Sequence, residues 1–277
     1  MISAVKFIEL ELAAHGLLLC ELKAVTDLPE SVWLKSYSKN VEDHRQEQDV
    51  ASPALAAQYF KSGSLLLVGH AGKEFWKVFS ENQAGEAMQK PDPVDSYSAE
   101  ITEQVIEKHL PNTLKKKLFP ATDCPVNLMA LGHAFNWHSP SPLGMGIHEE
   151  YGLWSAYRAV WWLDLELANS KPKIGNPSPK TNVTKPNSVR ELSKICAQCK
   201  TQECVTACPA TAIDYNKNPD LGHCADYRLM DVSQCESTCL SRMACPYATE
   251  HRYTESQMSY HYDLTRSAIA KYRQQSH

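Results

Sequence analysis

The stretch Cys196-Ala-Gln-Cys-Lys-Thr-Gln-Glu-Cys-Val-Thr-Ala-Cys-Pro209 spaces four thiols as C-x2-C-x4-C-x3-C-P. A second group follows, Cys224, Cys235, Cys239 and Cys245-Pro246, with C-x3-C-x5-C-P at its end. Eight of the ten cysteines thus fall between Cys196 and Cys245. Each group ends in Cys-Pro and supplies four thiolates. A short C-x2-C loop turns tightly around a metal group and brings backbone N–H groups near its sulfurs, and the cysteine before proline starts a segment that crosses to a second group. The reading is two [4Fe–4S] clusters. Cys196, Cys199, Cys204 and Cys245 hold one, and Cys208, Cys224, Cys235 and Cys239 hold the other.

That swapped arrangement belongs to two-cluster ferredoxins, whose commonest run is C-x2-C-x2-C-x3-C-P. The first group here has two extra residues before Cys204. Two four-thiolate zinc sites or disulfide staples would use the same residues. The paired Cys-Pro endings and the Ala210-Thr-Ala-Ile213 stretch favour iron–sulfur. His223, beside Cys224, reads as a surface histidine rather than a ligand. Cys20 reads as a small apolar residue buried in a helix. Cys124 reads as the start of a strand.

The chain has 277 residues, 43% hydrophobic and 22% charged, a formal charge of −4 and a pI near 6.3. It is long enough to bury a sizeable core without metal, so a metal module inside it serves a task. The densest basic run, Lys115–Lys117, is a solvated surface rather than a nucleic-acid face. Met1–Lys23 interleaves Glu9, Glu11, Glu21 and Lys23 with its apolar residues, unlike a signal peptide. No segment reaches about 18 apolar residues without charge. No membrane span is expected, and the cytoplasm is the expected location.

Upstream, Phe7–Val25 reads as a helix weakened at Gly16, and Ser31–Phe60 as polar helical stretches and loops. Ser64–Gly69 reads as a buried strand and Gly72–Phe79 as the helix after it, one strand–helix unit of an α/β domain. Ala99–Leu110 reads as a helix, Val126–Ala134 as a strand, and Leu153–Leu165 as a helix start passing into a strand from Ala159. Residues 169–188, with four prolines, read as a linker. The expected domains are 1–185, a first domain that includes the linker; 186–255, the cysteine module; and 256–277, a helical tail.

The segment from Pro140 to Arg158 combines Gly144, Gly146 and Gly152 with His148, Tyr151, Trp154, Tyr157 and Arg158. Glycines permit close backbone approach, and flat rings beside a fixed cation suit a large planar ligand. The bland alternative is a turn followed by a packed helix, with Arg158 paired to Glu149 or Glu150.

The cysteine pattern, with its lone Cys224 in Gly-His-Cys-Ala-Asp-Tyr, resembles that of the corrinoid-dependent reductases: epoxyqueuosine reductases, reductive dehalogenases and the related vitamin B12-processing protein of animals. The stretch Ile147-His-Glu-Glu-Tyr-Gly-Leu-Trp-Ser-Ala-Tyr-Arg-Ala-Val160 is similar to a segment of the B12-processing protein. The resemblance implies an α/β fold, an α+β sandwich on a nitroreductase-like scaffold, followed by a bacterial-ferredoxin-like double [4Fe–4S] module. It implies an iron–sulfur reductase relaying single electrons to a corrinoid (cobalamin) or substrate. His148, Gly152, Trp154, Tyr157 and Arg158 would bind the cofactor. Asp123-Cys-Pro-Val is the nearest match, one residue shorter, to the family's Asp-Ser-Ala-Pro-Val, whose aspartate donates a proton, which makes Asp123 a candidate acid; Tyr151 is the second candidate proton donor. An external donor of the flavodoxin or ferredoxin type, a small-molecule substrate and a homodimer follow by analogy. The family's Gly-Leu-Gly-Trp-Ile-Gly-Lys run is replaced by the His148 segment, and no helical-repeat domain follows, which disfavours a tRNA substrate. An FMN-dependent or cofactor-free oxidoreductase and a non-catalytic electron carrier remain the alternatives.

Overall fold

A computed structural model describes residues 2–34, 60–82, 92–121, 124–167 and 192–275. Asp123 and the 169–188 connection lie outside the described residues, as does most of the Ser31–Phe60 stretch. The chain divides into two compact units, Met1–Trp137 with Ser155–Pro172, and His138–Trp154 with Lys173–His277. The described strands are β1 (Leu19–Ala24), β2 (Ser64–Ala71), β3 (Lys115–Phe119), β4 (Ser139–Pro140), β5 (Gly146–Ile147) and β6 (Ser155–Leu163).

The first unit is built on one sheet of order β1-β2-β6-β3, antiparallel at every pairing. β2 is central and buried along its whole length, which is why Ser64-Leu-Leu-Leu-Val-Gly-His-Ala71 reads as an apolar run without alternation. The register to β6 shifts between Val68 and Gly69. A Cβ at Gly69 would stand 2.8 Å from the Ala156 carbonyl and 2.9 Å from the Trp137 ring, so only glycine fits. The helix Glu74–Asn82 follows β2 as the sequence pattern suggests, but the sheet it serves is antiparallel, not the parallel crossover of an α/β unit.

Three local expectations are corrected. Phe7–Val25 is not one helix: the helix Ile2–Ala14 ends before Gly16, whose φ of +78° turns the chain into β1, and Cys20 therefore lies in a strand. A side chain at Gly16 would stand 2.5 Å from the Phe75 Cα. Val126–Ala134 is not a strand. Val126 makes an isolated bridge to Trp33, and Asn127 then caps the helix Leu128–Ala134 by accepting from the Met129 and Ala130 N–H groups at 3.1 Å. The strand expected from Ala159 begins earlier, at Ser155. Lys115–Lys117 forms the start of edge strand β3, where Lys116 and Lys117 are exposed and blunt further pairing.

In the second unit β4 and β5 pair with each other. The described residues from 192 onward form the helices Lys194–Ala197, Glu203–Thr206, Leu221–Leu229, Leu240–Met243 and Glu255–Gln275. They contain no strand. This overturns the expected β-rich bacterial-ferredoxin-like module: the described chain is an α-helix-dominated fold with short strands scattered along it. Closely spaced cysteines and caps commit the backbone to tight turns. Ser193 caps the first short helix through the Cys196 N–H at 3.0 Å, and Cys239 caps the fourth through the Arg242 N–H at 3.4 Å. No helix among the described residues is long and apolar enough to cross a membrane.

Candidate functional site

The second unit brings the eight closely spaced cysteines into two groups. Burial pushes the Cys204 thiol up to about 11, helped by its neighbours Cys245, Cys196 and Cys199. Burial likewise raises Cys224, whose sulfur neighbours are Cys239, Cys208 and Cys235. Cys196, Cys235 and Cys245 are each 8% exposed. Around the first group, the Tyr215 hydroxyl donates to the Cys196 carbonyl at 2.7 Å, and Arg252 donates to the Cys245 carbonyl at 3.0 Å. Leu143, Ile147 and Leu153 pack with Cys196 and Cys245 in one apolar cluster.

The second group is set by the helix Leu221–Leu229. Asp220 caps it by accepting the His223 N–H at 2.9 Å, and Cys224 projects from its first turn. The Cys235 N–H is held by the Ser233 hydroxyl at 3.1 Å. Arg228 is 6% exposed and donates to the Cys235 carbonyl at 3.3 Å and to the Tyr262 carbonyl at 2.8 Å. Arg242 is 8% exposed, donates to the Leu153 carbonyl at 2.5 Å and lies 4.6 Å from the Trp154 ring centre and 4.7 Å from that of Tyr253. The ion pairs among the described residues include neither arginine. Backbone carbonyls and aromatic faces are the partners of both guanidinium groups.

Two four-thiol groups beside buried arginines are the donor chemistry of a metal–thiolate site. As the side chains stand, no group of three or more His, Cys, Asp or Glu among the described residues is placed to hold a metal ion.

The other candidate residues separate between the units. His148, Tyr151, Gly152 and Trp154 lie in the second, and Tyr157 and Arg158 in the first. The His148 Nδ1 accepts from the Glu150 N–H at 3.0 Å and the Tyr151 N–H at 3.2 Å, which puts the ring proton of neutral His148 on Nε2. Burial lowers the pKa of His148 and raises that of the Tyr151 hydroxyl. The Tyr151 ring stacks obliquely on His148 and edge-on to His251. Gly152 sits at φ +57° with Tyr247 and Ala248 against it, where a Cβ would come 2.9 Å from the Ala248 side chain. Trp154 is wholly buried against Tyr253. Tyr157 stacks on Trp137, and burial drives its hydroxyl far above the ordinary range. Arg158 donates to Asp95 at 3.2 Å and to the His70 Nε2 at 3.2 Å, not to Glu149 or Glu150.

Arg228, Arg242 and Tyr262 escape the sequence reading. A signal for two of them was available: arginines placed four residues after Cys224 and midway between Cys239 and Cys245. Tyr262, on the terminal helix, had none. His223 is exposed beside Asp220, as expected of a surface histidine. Cys20 is pushed up to about 12, by burial first and then by Glu9 and Glu21. Cys124 precedes the Val126 bridge, its thiol 3.6 Å from the Val126 carbonyl.

No protein-family model matches the chain, and no curated protein matches it. The solved structures it matches include reductases and a B12-trafficking protein. In particular, epoxyqueuosine reductase from Bacillus subtilis matches at 11% identity over 93% of this chain and 68% of that one, with a TM-score of 0.50. A B12-trafficking protein of C. elegans matches at 11% identity over 97% of this chain and 94% of that one, with a TM-score of 0.48. Epoxyqueuosine reductase from Streptococcus thermophilus matches at 13% identity over 87% of this chain, which spans 65% of that one, with a TM-score of 0.44. The Bacillus subtilis match is a likeness of fold.

Proposed function

We propose that the chain is an oxidoreductase that holds two [4Fe–4S] clusters on the eight cysteines from Cys196 to Cys245 and passes single electrons through them to a corrinoid. The carrying observation is the pair of four-thiol groups in a unit whose buried Arg228 and Arg242 have no carboxylate partner among the described residues. The clusters would supply one-electron transfer and the corrinoid the reactive centre, while the protein supplies position and polarity.

The corrinoid part rests on the resemblance carried by Ile147–Val160. There His148, held by two backbone N–H groups, offers an Nε2 proton, and the raised pKa of Tyr151 keeps its hydroxyl a donor at neutral pH. Asp123 remains a proposed proton donor by resemblance alone. The electrons would come from an external one-electron donor protein.

Anaerobic purification tests the clusters first. Brown protein with about eight irons per chain is expected, four for each cubane. Colourless protein with about two zinc ions sinks the reading. Titration with cobalamin then tests the acceptor. Tight binding with loss of the base-on spectrum is expected. Binding of FMN instead replaces the corrinoid, and binding of neither leaves an electron carrier.

A further inference from the structure

The helix Leu221–Leu229 carries Cys224 and buries one side chain, Arg228. A helix that short does not hold its place by itself, and Cys235 lies on the turns beyond its end. Two arginines tie these pieces to one turn of the terminal helix Glu255–Gln275. Arg228 donates to the Cys235 carbonyl at 3.3 Å and to the Tyr262 carbonyl at 2.8 Å. Arg266, one turn after Tyr262, donates back to the Arg228 carbonyl at 3.0 Å and pairs with the Glu236 carboxylate at 3.1 Å. These bonds close a ring of three segments: the end of the Cys224 helix, Cys235-Glu236, and Tyr262 to Arg266. Further along, Arg273 meets the Gly222 carbonyl at 3.3 Å and Asp226 at 2.6 Å, both on the Cys224 helix.

We infer that Arg266 is a positioning residue for the group Cys208, Cys224, Cys235 and Cys239: through it the terminal helix fixes the Cys224 helix against Cys235, and with it the group's hold on its metal. The inference rests on the two-cluster reading above. A guanidinium makes two directed bonds at once from a planar fork, so Arg266 sets the helix end and the residue after Cys235 in one geometry. The Arg266–Glu236 pair is part-exposed and adds little to stability as an ion pair. Its effect is on geometry. Groups that orient metal ligands without touching the metal change how tightly it is held, because segments left loose must be ordered each time the ligands close.

The test is release of iron from the full, iron-loaded chain to a ferrous chelator under anaerobic conditions. In R266Q about four of roughly eight irons are expected to leave about tenfold faster than in wild type, and the rest at the wild-type rate. Electron paramagnetic resonance of the reduced protein at the end of the fast phase should count one cluster, not two. R273Q, which unties the same two helices at another place, should release iron like wild type. Faster release of all the iron, faster release of none, or an R273Q as fast as R266Q overturns the inference. If R266Q does not fold, E236Q decides, since it removes one carboxylate from an exposed position. Release of half the iron about two- to fivefold faster, the range of a part-exposed ion pair, supports the proposal, and an unchanged rate overturns it. Metal and sulfide counts on the wild-type chain come first. About two zinc ions would overturn the two-cluster reading alone; R266Q is then read on zinc, where faster loss of one ion supports the clamp and of both or neither overturns it. A wild-type chain that holds no metal overturns both.

Discussion

Leu65, Leu66, Leu67 and Val68 run through the middle of the sheet at 0–1% exposure, while the helix Glu203–Thr206 in the cysteine-bearing unit has no buried residue at all. The one buried residue of the helix Leu221–Leu229 is an arginine. The sheet thus carries the apolar area that stabilises a fold by leaving water. The short helices around the cysteines bury little of it, and isolated helices of their length are not stable in water. What packs among them is a small apolar cluster, Leu143, Ile147 and Leu153 with Cys196 and Cys245.

On the proposed two-cluster reading, metal binding would add folding free energy to this unit, and the largest effect should come from removing iron. We expect the chelated chain to lose helical circular dichroism and to become open to proteolysis within 192–254, while peptides from β2 and β6 stay protected from hydrogen exchange. An iron-free chain protected equally in both regions would erase the contrast. Cys204→Ala comes next: it should cost about four of roughly eight irons, whereas Cys20→Ala should cost none, as plasma emission spectrometry can establish. Equal losses would mean that spacing did not pick the ligands.

In the sheet, Leu67→Ala deletes a wholly buried side chain from the central strand. It should cost about 2–5 kcal/mol in urea unfolding followed by tryptophan fluorescence. Its iron content should match wild type, and a loss of iron would show the two regions to be coupled.

The smallest effect is at Glu11, which accepts from Lys108 at 2.8 Å and from His109 at 2.7 Å. Lys108 first, then His109, holds its carboxyl below the ordinary 4.5. A depressed carboxyl contributes stability above its unfolded pKa, and that contribution disappears as pH falls through the folded value. Glu11→Gln should therefore lower the urea midpoint slightly at pH 7 and leave it unchanged near pH 3. A difference that persists at pH 3 would point to packing instead.

Much of the sheet unit was legible because its signals are local. An unbroken apolar run wrote β2, and a polar stretch with helical spacing wrote the terminal helix Glu255–Gln275. The cysteine spacing wrote a candidate ligand set by the same logic, since a loop of two residues fixes how near two thiols stand. Val126–Ala134 failed because Asn127 capped a helix, and an apolar stretch of that length does not distinguish helix from strand by period. The expected β-rich module failed because cysteine spacing constrains where sulfurs lie and not the backbone between them.

By itself, then, the sequence named a candidate set of thiols and determined which run is a buried strand. Only the tertiary structure decided what surrounds them. Arg158 meets Asp95 and His70, 63 and 88 residues away in sequence, rather than the nearby glutamates. Gly16 is required because the Phe75 backbone lies against it. Arg228 is tied to the Tyr262 carbonyl 34 residues on. Periodicity and spacing report what a residue does within a few positions of itself. The partner of a buried charge is chosen by desolvation in the folded chain, where any group brought near can supply it.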